Sequence, residues 1–332
     1  MKKKVNIKKI LFWTGISLLG LLILVIIIVN LTPVPVAMVV RSQFEKGIAT
    51  KPSDYNYYLD KVKAIKDLEY PSLYKDNQTD LYLPKTGENF PLIIWVHGGA
   101  FVGGDKKDVT EYATVLAAHG YAVLSINYER APKLKYPNQL KQVYEAYSWF
   151  VGVAADYNVD INNLVFAGDS AGAFMVAQIA VIETSKEYAD LMNFEQLILA
   201  DSLKGLLLYC GPYNVDKISE TKNIAASFLF SQIAWAYFGD RNWVEKYGEI
   251  ATIKNHITEY YPPTFITDGN EFSFESHAKE LENTLKDKNV LVESLYITDE
   301  KAGHEYQFKL DTSAGMKSIE ETLKFLDIVL ER

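Results

Sequence analysis

The sequence predicts an α/β protein with a mainly parallel central sheet, helices on both faces of that sheet, and one transmembrane helix before it. Three observations lead to this prediction. Residues 10–29 carry no charged side chain. From about residue 90 onward, short apolar runs alternate with segments of helical periodicity, a pattern typical of parallel sheets covered on both faces. A Gly-X-Ser-X-Gly motif at residues 168–172 separates one such run from an apolar helix.

The composition is that of a folded domain and excludes some classes of function. Hydrophobic residues make up 48% of the chain and charged residues 23%, which are ordinary fractions for a globular protein. The net charge is −8 and no basic stripe follows the first ten residues, so we expect no nucleic-acid partner. The lone cysteine, Cys210, excludes an intramolecular disulfide and a cysteine-based zinc site. Its apolar surroundings predict a buried thiol.

Residues 10–30 are predicted to form a signal-anchor helix. At 1.5 Å per residue, the uncharged run is about 30 Å long and matches the hydrocarbon core of a bilayer. The run is longer than the apolar region of a signal peptide, and Leu31-Thr32-Pro33 follows it in place of a small-residue cleavage site. A cleaved signal peptide and a buried core helix are the alternatives.

The distribution of basic residues predicts the orientation of this helix. Its N-terminal side carries Lys2, Lys3, Lys4, Lys8 and Lys9. Only the sparse Arg41 and Lys46 follow it closely. By the positive-inside rule, residues 1–9 form a cytoplasmic basic tail and the remainder lies outside the cell. We therefore expect a single-pass protein of the cell membrane with an extracytoplasmic domain.

The remainder is predicted as a connector and possible cap segment, residues 31–66, and one folded domain, residues 67–332. The connector is expected to become helical near residues 57–66. Strands are predicted at 67–70, 80–84, 91–96, 121–127, 164–167, 206–210, 264–267 and 291–297. Helices are predicted at 109–119, 138–151, 171–182, 275–285 and 314–330. An aromatic-rich insertion at about 215–257 has no strand pattern, which predicts a helical cap.

The motif Gly168-Asp169-Ser170-Ala171-Gly172 has the form of a nucleophile elbow. It lies between the predicted strand 164–167 and the predicted helix 171–182. The turn from strand to helix is so sharp that side chains two positions before and after the serine would clash, so glycine occupies both positions. Ser170 then stands above the sheet at the positive end of a helix, which predicts a nucleophile.

A second motif, His97-Gly98-Gly99-Ala100-Phe101, follows the predicted strand 91–96. Ester hydrolysis passes through a tetrahedral oxyanion, and each backbone N–H group aimed at it contributes about 2.7–4 kcal/mol. Small residues let the main chain approach the substrate closely. This pattern predicts an oxyanion loop, and a tight turn without a ligand is the alternative.

A catalytic triad also needs an acid and a histidine, in that order after the serine. His304 lies in a loop after the predicted strand 291–297, where the base belongs. The other histidines are less well placed for this role: His97, His119, His256 and His277. Asp268 directly follows the predicted strand 264–267 and is favoured as the acid, because a residue at the strand terminus is held by a rigid element. Glu271, on the loop beyond, stays open as the alternative.

These motifs and their order resemble the hormone-sensitive-lipase-like and the feruloyl- and acetyl-esterase-like carboxylesterases of the α/β-hydrolase superfamily. The Leu-Tyr-Leu-Pro of residues 81–84 and the Trp-Val-His-Gly-Gly-Ala-Phe-Val-Gly-Gly-Asp-Lys of residues 95–106 resemble the second branch in particular. The resemblance implies the α/β-hydrolase fold. It also implies that the oxyanion donors are the N–H groups of Gly99, Ala100 and Ala171.

The chain departs from the family pattern at two positions. Ala100 replaces the third glycine that often follows the histidine of the oxyanion motif. The position that carries the acid in the family falls on Phe272 here, which keeps Glu271 open.

Together these residues predict a serine hydrolase that cleaves the carboxylic ester bond of a small molecule through an acyl-enzyme on Ser170. His304 is the expected general base, and the mechanism needs neither a cofactor nor a metal. A serine peptidase or amidase of the same fold is one alternative. A catalytically silent binding domain on the cell surface is the other.

Overall fold

The sheet and its helices are described by a computed structural model that covers residues 7–44, 47–199, 201–221 and 223–331. Within these residues the strands are β1 (Val62–Glu69), β2 (Gln78–Pro84), β3 (Phe90–Val96), β4 (Ala122–Ile126), β5 (Val159–Asp169), β6 (Leu203–Tyr209), β7 (Thr264–Asp268) and β8 (Val292–Tyr296). The helices of the same ranges are α1 (Ile7–Leu31), α2 (Val34–Phe44), α3 (Tyr55–Leu59), α4 (Thr110–Ala118), α5 (Asn138–Val153), α6 (Ala171–Thr184), α7 (Lys186–Met192), α8 (Ile224–Phe238), α9 (Trp243–Ala251), α10 (Glu275–Asp287) and α11 (Ser313–Val329).

The strands form one sheet in the order β1-β2-β4-β3-β5-β6-β7-β8. The first two pairings, of β1 with β2 and of β2 with β4, are antiparallel. All later pairings are parallel. The predicted mainly parallel sheet is therefore confirmed. Because parallel strands end at one edge, the carboxyl ends of β3, β5 and β7 lie along the same side of the sheet.

Helices cover both faces of the sheet, as the apolar runs predicted. In β3, Leu92 and Ile94 pack into the core layer that contains α5 and α6. Ile93 and Trp95 point the opposite way, into the layer that contains α4 and α11. Side chains alternate along a strand, so a strand buried on both faces reads as an unbroken apolar run.

The start of the sheet differs from the expectation. Residues 57–66 were predicted to be helical, but α3 ends at Leu59 and β1 begins at Val62. β1 is an edge strand that pairs only with β2, and most of its side chains are exposed. Polar residues are tolerated on such a strand. Because Lys63 and Lys66 interrupt its apolar pattern and the neighbouring residues are good helix formers, the sequence did not indicate a strand here.

α1 has the properties of a membrane-spanning helix. It is 25 residues long, its most apolar window has a mean hydropathy of 2.8, and none of that window is buried against the domain. The alternative of a buried core helix is thus wrong, while an anchor and a signal sequence both fit. Lys2, Lys3, Lys4 and Lys46 lie outside the described residues, so the orientation stays a prediction.

The connector after α1 is packed onto the domain through α2. Ala37 and Val40 are buried. The Arg41 side chain donates from Nε to the carbonyl oxygen of Val102 at 2.5 Å and from Nη2 to that of Ala131 at 2.9 Å. α2 therefore belongs structurally to the folded domain, although it precedes the sheet.

Two truncated chains test this division between α1 and α2. A chain without residues 1–32 should stay in solution and fold, because α1 buries nothing against the domain. A chain without residues 1–46 also loses the apolar contacts of α2 and the donors of Arg41, so its free energy of unfolding should fall by about 3 kcal/mol. Thermal unfolding of the two chains measures the difference. Equal unfolding midpoints of the two chains would contradict a structural role for α2. Aggregation of the chain that lacks residues 1–32 would contradict the peripheral position of α1.

Candidate active site

Ser170 lies at the turn from β5 to α6 in a strained backbone conformation. Its φ is 48° and its ψ is −113°, which non-glycine residues rarely adopt. A Cβ atom on Gly168 would lie 2.5 Å from the backbone carbon of Gly172, and one on Gly172 would overlap the carbonyl oxygen of Val96. Both positions of the elbow therefore require glycine, and for Gly172 the obstacle is the end of β3.

Ser170 is linked to Asp268 through two intervening side chains. The Nε2 atom of His304 lies 3.0 Å from the Oγ atom of Ser170. Its Nδ1 atom lies 2.8 Å from the Oγ atom of Ser273. The Ser273 hydroxyl in turn donates to Oδ1 of Asp268. The structure thus brings together the predicted serine, histidine and aspartate, with a second serine between the imidazole and the carboxylate.

Ser273 is the member of this hydrogen-bonded series that was not predicted from the sequence. It lies on the loop between β7 and α10 and belongs to no motif. A hydroxyl has one donor and two acceptor positions, so it accepts a hydrogen bond from imidazole Nδ1–H while it donates to the carboxylate. The one hint in the sequence was that Phe272, whose side chain is exposed to solvent, occupies the position where the family pattern has an acid. That absence did not point to the neighbouring serine.

The two candidate acids have different surroundings. Asp268 is buried at the end of β7. One of its carboxylate oxygens, a ring nitrogen of His304 and the sulfur of Cys210 lie within 4.8 Å of one another. Glu271 instead pairs with the exposed Lys301 at 2.6 Å. The geometry favours Asp268 over Glu271 as the carboxylate next to the imidazole.

Burial determines the protonation of this group of side chains. It raises the pKa of Asp268 to about 7, against the opposing hydrogen bonds from Ser273 and the N–H of Phe274. It lowers the pKa of His304 to about 4, so the free imidazole is neutral at pH 7 and accepts a proton. Burial also raises the pKa of the Cys210 thiol, as predicted for a buried cysteine. A protonated thiol is a poor metal ligand, so these residues do not fit a metal site.

The predicted oxyanion loop follows β3, and some of its backbone N–H groups are free to donate to a ligand. The N–H of Gly98 donates to Oδ2 of Asp169 at 2.7 Å. In the described part of the chain, the N–H groups of Gly99, Ala100 and Ala171 have no protein acceptor. Ala171 begins α6, and the first N–H groups of a helix have no intrahelical partner. The three predicted donors are therefore available to a negatively charged oxygen.

The substitution of alanine for glycine in this loop has a structural cost. Ala100 has a φ of 53°, in the left-handed region that costs a non-glycine residue about 1–2 kcal/mol. The neighbouring Gly99 has a φ of 102°, which only glycine adopts readily. The loop thus keeps its N–H groups in place at the expense of local strain.

Asp169, the residue between Gly168 and Ser170, connects three parts of the site. Its Oδ1 atom accepts a hydrogen bond from Nε1 of Trp95 at 2.7 Å, and its Oδ2 atom holds the N–H of Gly98. Glu305, next to His304, also hydrogen-bonds to it. Burial and the nearby Asp169 raise the pKa of Glu305 well above its usual range, so Glu305 is protonated and donates. The elbow, the oxyanion loop and the histidine loop are thereby tied together.

The other histidines bond elsewhere. Nδ1 of His97 lies 2.7 Å from the carbonyl oxygen of Gly98, and its ring stacks on Tyr128. The remaining three contact backbone groups away from Ser170: His119 that of Val115 one helical turn earlier, His256 that of Glu249, and His277 that of Asn214. His304 is thus the histidine that meets Ser170 among the described residues.

The insertion predicted as a helical cap contains α8 and α9 and covers the site. Tyr237 of α8 stacks on Phe101 of the oxyanion loop, with ring centroids 3.8 Å apart. Phe230 of α8 lies 5.6 Å from Phe274, whose ring in turn packs edge-on against the imidazole of His304. Aromatic side chains of the cap therefore contact both loops that surround Ser170.

Comparison with protein families agrees with this arrangement. The BD-FAE family model matches residues 79–282, which is more than half of the chain. This chain belongs to the BD-FAE family. The matched region of this BD-FAE protein contains the oxyanion loop, the elbow, the cap and Asp268, and it ends before His304.

Curated relatives of the BD-FAE chain match over shorter stretches. An acetyl esterase of Salmonella schwarzengrund is 30% identical over 112 residues, which are 33% of this chain and 34% of that protein. A putative alpha/beta hydrolase of Acanthamoeba polyphaga mimivirus is 27% identical over 155 residues, 46% of this chain and 43% of that protein. The matches span less than half the length of these curated relatives.

Solved structures resemble the BD-FAE chain over most of its length. Esterase B from Lactobacillus rhamnosis has a TM-score of 0.72 at 18% identity, over 85% of this chain and 88% of that one. A truncated carbohydrate esterase from gut microbiota has a TM-score of 0.68 at 19% identity, over 85% and 100%. A thermostable carboxylesterase from a metagenomic library has a TM-score of 0.67 at 16% identity, over 90% and 98%. The predicted α/β-hydrolase fold is confirmed.

Proposed function

We propose that this BD-FAE protein is a serine hydrolase that cleaves carboxylic ester bonds through an acyl-enzyme on Ser170. The observation that carries the proposal is the 3.0 Å contact of Ser170 Oγ with His304 Nε2, beside backbone N–H groups without a protein acceptor. The names of the similar proteins support an esterase. One of the similar structures is an esterase B inhibited by a tributyrin phosphonate, a compound that mimics the tetrahedral stage of ester hydrolysis.

The reaction begins when Nε2 of His304 takes the hydroxyl proton of Ser170 and the oxygen attacks the ester carbonyl carbon. The carbonyl oxygen becomes negatively charged and accepts hydrogen bonds from the oxyanion donors, which are Gly99, Ala100 and Ala171. When the intermediate collapses, His304 gives the proton to the leaving alcohol. Water then attacks the acyl-enzyme with the same base and releases the acid.

Asp268 is the proposed acid, and it acts through Ser273. The Ser273 hydroxyl accepts Nδ1–H of His304, which fixes the tautomer whose bare Nε2 faces Ser170. The Asp268 carboxylate accepts the Ser273 hydroxyl and holds it in that orientation. As the imidazole gains a proton, the nearby negative charge stabilises it. Asp268 is buried and His304 is partly buried, so water screens this attraction less than it would at the surface.

The alternative functions receive less support. A serine peptidase or amidase would use the same groups, but the similar proteins are named as esterases, among them the acetyl esterase of Salmonella schwarzengrund. A silent binding domain would not need the complete chain of contacts from Ser170 to Asp268. The proposal is therefore an esterase with a small-molecule ester as substrate.

We further propose that α1 is retained as an anchor and that the catalytic domain lies outside the cell membrane. The exposed apolar surface of α1 supports an anchor, and Lys8 and Lys9 at its start support the orientation. The packing of α2 on the domain holds the catalytic part close to the end of α1.

Replacement of the nucleophile tests the proposed function. Ser170→Ala removes one oxygen and should abolish turnover of p-nitrophenyl acetate without unfolding the domain. A fluorophosphonate probe should label the wild type and leave this variant unlabelled, as shown by in-gel fluorescence. Ser148→Ala, on an exposed position of α5, is the matched control and should keep both activity and labelling. Labelling that persisted in Ser170→Ala would identify another nucleophile and refute the assignment.

Three substitutions test the acid and its bridge. Asp268→Asn should lower kcat on the order of 10⁴-fold, because the imidazole loses its orienting carboxylate. Glu271→Gln should lower kcat less than about tenfold, because that carboxylate pairs with Lys301. Ser273→Ala removes the hydroxyl through which Asp268 acts, so kcat should fall by at least about 10- to 100-fold, the range for loss of the partner that orients a metal-ligating histidine. Ser273→Thr keeps the hydroxyl and is the matched control for the bridge.

Steady-state kinetics at saturating substrate distinguish the outcomes. A large loss for Glu271→Gln together with a mild loss for Asp268→Asn would reverse the choice of acid. An unchanged kcat for Ser273→Ala would remove Ser273 from the mechanism while leaving Asp268 in place.

A further inference from the structure

A cleft of about 490 Å³ opens between α2, the end of α8 and the loop that follows Ala131. Its cations are Arg41, Lys133 and Lys135, and its apolar wall includes Pro33, Met38 and Trp235. The cleft is separate from the active site, since it contains neither Ser170 nor the oxyanion loop.

The charge of this cleft is unusual for the chain. No carboxylate lines it in the part of the chain that the structure describes, although the whole sequence has a net charge of −8. Lys133 and Lys135 are exposed, and the ion pairs of the described residues involve other cations. Among the described residues, the acceptors of Arg41 are the neutral carbonyl groups of Val102 and Ala131. Asp76 acts electrostatically on Arg41, but Lys133 and Lys135 have no carboxylate beside them in the lining of the cleft, so these two ammonium groups attract an anion.

The end of α1 places this cleft at the membrane surface. The uncharged residues 10–29 are long enough to cross the whole hydrocarbon core. The residues directly after them then lie in the headgroup layer, which is about 5–8 Å thick on each side. Thr32, Pro33 and Val34 come directly after α1 and line the cleft. A phosphate group of the adjoining leaflet is thus at the depth of the cleft.

Contacts between the cap and the last turn of α1 hold the cleft at this depth. Arg241 donates to the carbonyl oxygen of Asn30 at 3.2 Å and to its side-chain Oδ1 at 3.1 Å. The same guanidinium lies over the ring of Trp235, 5.6 Å from its centroid. Tryptophan is enriched at the interface between membrane and water, so this position of Trp235 fits a membrane boundary.

We propose that the cleft binds the headgroup of an anionic phospholipid from the bilayer that α1 crosses. The lipid phosphate accepts hydrogen bonds from Lys133 and Lys135. Its acyl chains lie along Val34 and Met38, whose side chains are exposed and continue the apolar surface of α1. This inference rests on the proposed retention of α1 in the membrane and not on the chemistry of Ser170.

Native mass spectrometry of the full-length chain in detergent tests the proposal. With phosphatidylglycerol added, one lipid should stay bound to the wild type, and with phosphatidylcholine it should not. Lys133→Gln combined with Lys135→Gln should weaken the binding of phosphatidylglycerol about thirtyfold. Lys288→Gln combined with Lys317→Gln removes the same charge from exposed positions outside the cleft and should leave binding unchanged. Thermal unfolding midpoints verify that both double variants are folded.

Three results would overturn the proposal. The first is that the protein retains phosphatidylglycerol and phosphatidylcholine equally. The second is that the wild type and the cleft variant bind phosphatidylglycerol with equal affinity. The third is that inorganic phosphate displaces the lipid, which would make the cleft a site for free phosphate. Turnover of p-nitrophenyl acetate is measured on the same wild-type sample. A failure of the proposed esterase function then shows as absent turnover while the lipid remains bound.

Discussion

The contact between the start of α6 and the end of β3 determines where the reacting groups lie. Any side chain at Gly172 would overlap the carbonyl oxygen of Val96, so only glycine lets the helix approach the strand this closely. That approach places the N–H of Ala171 beside the loop that holds Gly99 and Ala100. The packing that joins helix to sheet therefore also assembles the proposed oxyanion site next to Ser170, where a bound oxyanion would gain donors from two chain segments at once.

This arrangement keeps several groups in costly states. Ser170 and Ala100 have positive φ angles, and the carboxyl group of Asp268 is buried. Each such feature costs on the order of 1–3 kcal/mol, which the large apolar core offsets. Glu305 and Asp169 form a buried acid pair in which Glu305 keeps its proton and donates it in a hydrogen bond to the Asp169 carboxylate. Strain of this kind clusters at functional sites, which is consistent with the proposed role of the elbow.

Much of the fold was predictable because strands buried on both faces are continuous apolar runs in the sequence. The elbow was predictable because steric contact requires glycine at two of its positions. The location of Asp268 close to the His304 loop was predictable from its place at the end of a strand, while its role as the acid stays a prediction. The sequence alone did not decide against Glu271 as the acid, because no local pattern indicates that its carboxylate pairs with Lys301. Ser273 was missed because serine is common in loops and its role arises from contacts across the fold. The edge strand β1 was missed because its exposed face is polar.

The central claim is that the elbow holds Ser170 between His304 and the oxyanion donors. A crystal structure of the protein after reaction with an alkyl phosphonate ester tests it most directly. Phosphorus should be bonded to Oγ of Ser170, with the phosphoryl oxygen about 2.7–3.1 Å from the oxyanion N–H groups. Those donors are the backbone nitrogens of Gly99, Ala100 and Ala171. Phosphorus on another residue, or a phosphoryl oxygen turned away from these nitrogens, would contradict it.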